Sequence, residues 1–305
     1  MPSLVQKFVS LPSRAAFGDG QEVQLRRNRF KTHLRLWKKW WLRPHAPFQP
    51  LFVIATWRSG SELLLSYLNQ QPSVAVLGEV FCSWLDYGPS NECLPRAKAI
   101  RHIRYCLNGM MTTPIRGCKL ILQHLTNCHL TLDHLNREFP AAKYIVLYRQ
   151  SLPQQFVSHE IAQVTQQFLV HRGQTPRQAE IHVDAGKLKE YCDETRRRYQ
   201  DVLACPWLQD KAVLLSYEEL VADPTYWLKQ QICPLLDLPF AAVQSKLVKQ
   251  GTRPFAEQVT NYQNVKALLD SPLCRQQLSW PSLGRVSPKH GPEVHVSMGS
   301  KRQNS

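Results

Sequence analysis

The chain has 305 residues, 43% of them hydrophobic and 20% charged, which is enough to bury a substantial core without disulfide or metal staples. No uninterrupted apolar run of about 18 residues is present and the N-terminus lacks a charged-then-apolar signal pattern, so a membrane-spanning helix is excluded and a cytoplasmic protein is expected. The formal net charge of +15 predicts attraction to anions without choosing among nucleic acid, membrane lipid and phosphorylated small molecules.

Residues 1–25 read as irregular. In residues 26–43, Arg26, Arg27, Arg29, Lys31, Arg35, Lys38, Lys39 and Arg43 face no acidic residue, while Phe30, Leu34, Trp37 and Trp41 recur at helical intervals. This predicts a basic amphipathic helix that packs its aromatics on the domain, with peripheral contact to an anionic membrane as the alternative. Pro44, Pro47 and Pro50 mark a rigid linker, so residues 1–48 are expected to form a basic extension ahead of a domain over 49–270. Residues 271–305 form a polar tail expected to be disordered.

Within the domain, a buried strand over 51–56 leads through a loop into a helix over 61–69, and a second strand is expected at 74–77. A loop through 79–95, a helix at 96–107, a strand at 116–122 and a helix at 130–138 follow. Lys143–Tyr148 is a clear buried strand, Leu152–Phe168 and Ala185–Leu203 read as helices, and the last core strand covers 211–216. A helix near 225–236, an irregular stretch at 249–261 and a short helix near 264–269 complete the domain. Alternating strands and helices predict an α/β fold, a three-layer α/β/α sandwich around a mostly parallel sheet. The nine cysteines show no C-x-x-C pair or zinc-like spacing and are read as reduced, mostly buried thiols; no metal site is expected.

The loop Thr56-Trp57-Arg58-Ser59-Gly60-Ser61-Glu62-Leu63 is a P-loop-like anion cradle. Unpaired amides at the start of a helix, together with the helix dipole, hold a phosphate, Gly60 permits close approach, Arg58 adds charge, and Ser59 and Ser61 add hydroxyls. An ordinary strand-to-helix turn capped by Ser59 or Ser61 is the alternative. In a parallel sheet ligands lie beyond the carboxyl ends of the strands, which would bring Glu79, Gln123, His124 and Arg149 to the same crevice. A nucleoside triphosphate loop of the form G-x-x-x-x-G-K-[ST] is absent.

Taken together, these blocks resemble the sulfotransferases that use 3′-phosphoadenosine-5′-phosphosulfate (PAPS), especially the bacterial trehalose-type and carbohydrate branches. TWRSGSEL at 56–63 resembles the family's 5′-phosphosulfate loop, and LYRQSLPQQFVS at 147–158 resembles its 3′-phosphate element, carried here by Arg149 and Ser158. GCKLILQHL at 117–125, LSYEEL at 215–220 and KQGTRPFAEQVTNY at 249–262 resemble its Lys-bearing strand, its last-strand motif and its nucleotide-closing loop.

The resemblance implies transfer of a sulfuryl group from PAPS, as co-substrate, to an acceptor hydroxyl of a sugar or glycolipid, in line and without metal. It implies donor contacts from Arg58, Ser59, Gly60, Ser61, Glu62, Leu63, Arg149, Ser158, Lys249 and Arg253. Glu79 is the implied base, His124 the competing one, and Lys119 a residue that reaches the transferring group or caps the sheet edge. Trp57, Trp84 and Tyr87 offer rings for stacking on an acceptor, while His159, Tyr217 and Glu218 are expected to be structural. Glu62 stands where the family carries Thr or Ser, and its charge is expected to repel the donor unless it points away. A kinase with a degenerate loop, or a basic membrane-surface protein of the same fold, are the rival readings. No nucleic acid partner is expected.

Overall fold

The structure is a computed structural model that describes residues 47–82, 93–109, 113–170, 172–245, 247, 253–272 and 274. The expected basic helix at 26–43, Trp84, Tyr87, Lys249 and the tail from 275 lie outside the described residues.

Five strands form one parallel sheet: β1 (Gln49–Ala55), β2 (Val74–Glu79), β3 (Ile115–Ile121), β4 (Lys143–Tyr148) and β5 (Ala212–Ser216), in the order β2-β3-β1-β4-β5. Successive residues of a strand point to opposite faces. Phe52 and Ile54 therefore enter one core, with Ile103, Leu107, Leu125, Leu135, Tyr199 and Val202, while Leu51, Val53 and Ala55 enter the other, with Leu64, Leu68, Leu228 and Ile232. One layer is built from α2 (Arg96–Asn108), α3 (Leu122–Asn127), α4 (Leu132–Glu138) and α6 (Ala185–Leu203). The opposite layer holds α1 (Ser61–Leu68) and a helical passage over 224–235 with a π-helical turn at Trp227–Ile232. Three layers result, as the alternation of elements predicts.

Local sequence explains the boundaries. Thr131 caps α4 in a reciprocal box with His134, Ser216 does the same for α7 (Tyr217–Ala222) with Glu219, and Ser151 and Asp184 cap α5 (Leu152–Thr165) and α6. Helix α5 stops short of the expected Phe168 because Gln166 turns left-handed, with φ 52°. Helix α3 was not expected from the sequence: six residues are too short for a periodic signal, and it carries Gln123 and His124 off the loop where they were expected. The last helix, α8 (Tyr262–Leu269), packs Val265 and Leu269 against Leu188 and Cys192 of α6. All nine cysteines are free thiols, seven of them buried. Among the described residues no helix is long and apolar enough to cross a membrane.

The chain leaves β1 toward β2 and leaves β4 toward β5, so the direction of winding reverses between these two neighbouring strands. A crevice opens beyond the carboxyl ends of strands at such a reversal. The loop at 56–60 and the residue after β4, Arg149, flank it.

Candidate functional site

The end of β1 is pinned before the loop begins. Tyr199, from α6, donates its hydroxyl proton to Leu147 O at 2.6 Å and accepts from the Thr56 amide at 3.2 Å. That leaves Thr56 Oγ1 as donor in its 3.2 Å contact with Tyr199, and Gln155 Nε2 donates to Thr56 Oγ1 at 2.8 Å and to Trp57 O. Beyond this anchor the backbone turns left-handed twice, at Arg58 with φ 59° and at Gly60 with φ 85°. A non-glycine residue in that region is held at a cost of about 1–2 kcal/mol, the kind of strain that accumulates at functional turns. At Gly60 no side chain is admissible, because a Cβ there would collide with the Tyr217 ring.

Helix α1 therefore begins on Gly60, with Ser61 and Glu62 in its first turn. The Leu63 amide donates to Gly60 O at 3.0 Å, while Leu63 itself lines the cavity with Gly60, Ser61 and Glu62. Ser59 is fully buried, and its Oγ has no hydrogen-bond partner among the described residues. A buried hydroxyl in that state is costly unless something meets it.

Arg58 points toward α5. Its Nε and Nη2 donate to Ser158 Oγ at 3.2 and 3.1 Å, and Nη1 donates to Phe168 O at 2.6 Å. The two phosphate elements expected from the sequence are thus joined directly. Arg149 comes to the same wall, and burial together with Arg149 lowers the Arg58 guanidinium to about 10, still charged at neutral pH. The repulsion between two guanidiniums in one crevice would be relieved by an anion lying between them.

Arg149 is fixed from below. Its guanidinium lies 4.6 Å from the Tyr217 ring centre and its Nε is 3.7 Å from Glu218 Oε1, an ion pair without a hydrogen bond. Glu218 Oε2 accepts the Gln150 amide at 3.0 Å, which ties the β4 exit to α7. Glu218 braces, as expected; Tyr217 does more, because its ring is also a wall of the crevice.

Lys119 sits on β3 in register with Glu79 of β2, where a bulge shifts the pairing. Its ammonium, only 3% exposed, bridges Glu79 Oε1 at 2.9 Å and Glu62 Oε1. Burial pulls the ammonium down, but the two carboxylates outweigh it and hold its titration above the usual lysine range. Glu62 is therefore compensated by a cation rather than turned away from the site. His124 is buried on α3, edge-on to Trp57 at 5.7 Å between ring centres, and it is not on the crevice wall. His159 also packs on Trp57: its ring lies parallel to the indole at 5.9 Å, and burial and Arg58 lower it to about 4, so it is neutral at pH 7.

These groups line one cavity of about 900 Å³, which holds Arg58, Gly60, Ser61, Glu62, Leu63, Glu79, Lys119, Arg149, Ser158 and Arg253. That is ample for a nucleotide-sized ligand. Arg253, from the late loop, pairs with Glu180 at 3.5 Å, and the neighbouring Phe255 closes the wall. Ser59 lies behind the lining. His159, Tyr217, Phe168, Leu169 and Val170 belong to the wall without having been singled out for it; only a bulky apolar run after α5 hinted at the last three. Among the described residues no group of three or more His, Cys, Asp or Glu is placed to hold a metal ion.

The model of the sulfotransferase family matches residues 96–242, a segment that includes Lys119, Arg149, Ser158 and Tyr217 and stops short of the loop at 56–63. No curated protein matches the sequence. Among solved structures, the chain is similar to a sulfotransferase from Alicyclobacillus acidocaldarius at 13% identity and a TM-score of 0.41, over 74% of this chain and 91% of that one. It is also similar to a sulfotransferase from Mycobacterium tuberculosis at 14% identity and a TM-score of 0.42, over 73% of this chain and 77% of that one.

Proposed function

We propose that this chain, whose residues 96–242 match the sulfotransferase-family model, moves a sulfuryl group from PAPS to a hydroxyl of a carbohydrate or glycolipid acceptor. The observation that supports it is the convergence on one cavity of Arg58, bonded to Ser158, and Arg149, seated over the Tyr217 ring. The donor carries two separated anionic groups, and the cavity offers two separated cationic elements.

The residues fit that donor. The amides around Gly60 and the Arg58 guanidinium would hold the 5′-phosphosulfate, while Arg149 and Ser158 would hold the 3′-phosphate. Arg253 and Phe255, on the same cavity wall, would face the nucleoside. Positioned cations and amides act where charge develops on the departing phosphate, and they require no reorganisation during the transfer. Glu79, 21% exposed and steadied by Lys119, takes the acceptor's hydroxyl proton as the oxygen bonds to sulfur and the bond from sulfur to the donor phosphate breaks.

Calorimetry with 3′-phosphoadenosine-5′-phosphate (PAP) and with ATP, on wild type and Arg149→Ala, tests the reading. The bisphosphate is expected to bind more tightly than ATP, and the substitution to weaken it. Equal or tighter binding of ATP overturns the proposal in favour of a kinase.

A further inference from the structure

Gln155 is fully buried on α5, off the cavity wall, and the proposed reaction gives it no task. Its Nε2 donates to Thr56 Oγ1 at 2.8 Å and to Trp57 O. The direction of those bonds is fixed from one end. Leu147 O can only accept, so Tyr199 donates to it, Thr56 Oγ1 donates to Tyr199, and Gln155 meets a lone pair that remains on Thr56. The carbonyl oxygen of the Gln155 side chain has no hydrogen-bond partner among the described residues. A buried acceptor in that state costs stability, so packing gives no reason for an amide here, and its N–H donors are what the residue contributes.

We infer that Gln155 is a positioning residue, which holds the left-handed turn at Arg58 in the form that receives the donor's 5′-phosphosulfate; this rests on the sulfotransfer reading. The Trp57 carbonyl and the Arg58 amide belong to one rigid peptide plane, so a donor held on that carbonyl fixes where the Arg58 N–H points and the plane from which the chain turns to φ 59°. A non-glycine residue persists in that region only where its surroundings over-determine it. Ser158 lies three residues beyond Gln155, on the same side of α5, and accepts the Arg58 guanidinium. One helix therefore grips Arg58 through the backbone before it and through its side chain. That helix also starts shortly after Arg149, so α5 carries the geometry between the two proposed phosphate elements.

The test is calorimetry on wild type, Gln155→Met and Gln155→Glu with two probes, PAP and adenosine 3′-monophosphate, the weaker probe being read by its displacement of PAP. The ratio of the two affinities isolates the contribution of the 5′ group. Both variants keep the length of the side chain and lose the donors, since a thioether and a carboxylate can only accept. The ratio is expected to fall roughly tenfold or more, with adenosine 3′-monophosphate bound within about twofold of wild type, because a displaced loop loses its oriented contacts to one group of the ligand. A ratio that does not fall in a folded variant overturns the inference, whether both affinities drop together or neither does, since a merely structural role weakens both probes alike. Failure of both variants to fold overturns it as well, because Gln155 would then hold the core and not the loop. Failure of wild type to bind PAP is the separate result that removes the sulfotransfer reading itself.

Discussion

The guanidinium of Arg149 lies 4.6 Å from the ring centre of Tyr217, and the Cδ2–Cε2 edge of that ring fills the space a side chain on Gly60 would need. One aromatic ring thus contacts both proposed phosphate elements and bears on the spacing between them. The contact explains why a Tyr that begins a six-residue helix matters to a loop more than 150 positions earlier in the chain.

Gly60→Ala should break that spacing. A methyl group at φ 85° is strained in itself and collides with the Tyr217 ring, so the loop or the ring must move. We expect PAP affinity to fall by roughly tenfold or more with the far-ultraviolet circular dichroism spectrum unchanged, a loss of about 1.4 kcal/mol or more. Native-like affinity would show that the spacing is not used.

Arg149→Ala removes a buried charge and strands Glu218 beneath it. A loss of 2–5 kcal/mol is typical for truncating one partner of a desolvated charge pair, so PAP binding should weaken roughly 30-fold or more in calorimetry. Arg149→Lys should restore little, because a point charge neither stacks on Tyr217 nor reaches two oxygens at once.

Glu79→Gln and His124→Asn separate the two candidate bases. Turnover should drop roughly 10²-fold in the first, with PAP affinity near wild type, and change little in the second. The expectation follows from position: Glu79 lines the cavity and His124 is buried behind Trp57. The opposite pattern in single-turnover assays would transfer the role to His124.

Tyr199→Phe should destabilise the fold without touching the cavity wall. The hydroxyl is buried, donates to Leu147 O and accepts from Thr56, so its removal leaves an amide and a carbonyl unsatisfied. Urea unfolding should report a loss of about 1–3 kcal/mol.

His159 should make stability depend on pH. Its folded value of about 4 lies below the ordinary 6.5, so the unfolded chain binds the extra proton first. Its contribution is present above pH 6.5 and is lost as pH falls toward 4, by up to about 3 kcal/mol. Urea titrations at pH 7 and pH 5 should show a steeper decline for wild type than for His159→Asn.

Most of the fold was legible because strands buried on both faces leave dense apolar runs and long helices leave stripes. Lys143–Tyr148 and Ala185–Leu203 were expected at their observed bounds for that reason. Arg58 and Gly60 were singled out because an anion cradle needs particular residue types in one short loop, and Arg149 and Ser158 because the block around them resembles a family element; the structure brings all four to one cavity.

What the sequence by itself determined was the set of strands, the alternation that forces a parallel sheet, and the presence of a P-loop-like turn after the first strand. The tertiary structure alone decided the charges. Lys119 meets Glu62 across 57 positions and Arg58 meets Ser158 across 100, and neither pairing leaves a local pattern, because side-chain contacts between distant segments depend on strand order and not on spacing. Strand order is also what turned Glu62 from an expected repulsion into half of a shared cation, and carried His124 behind Trp57.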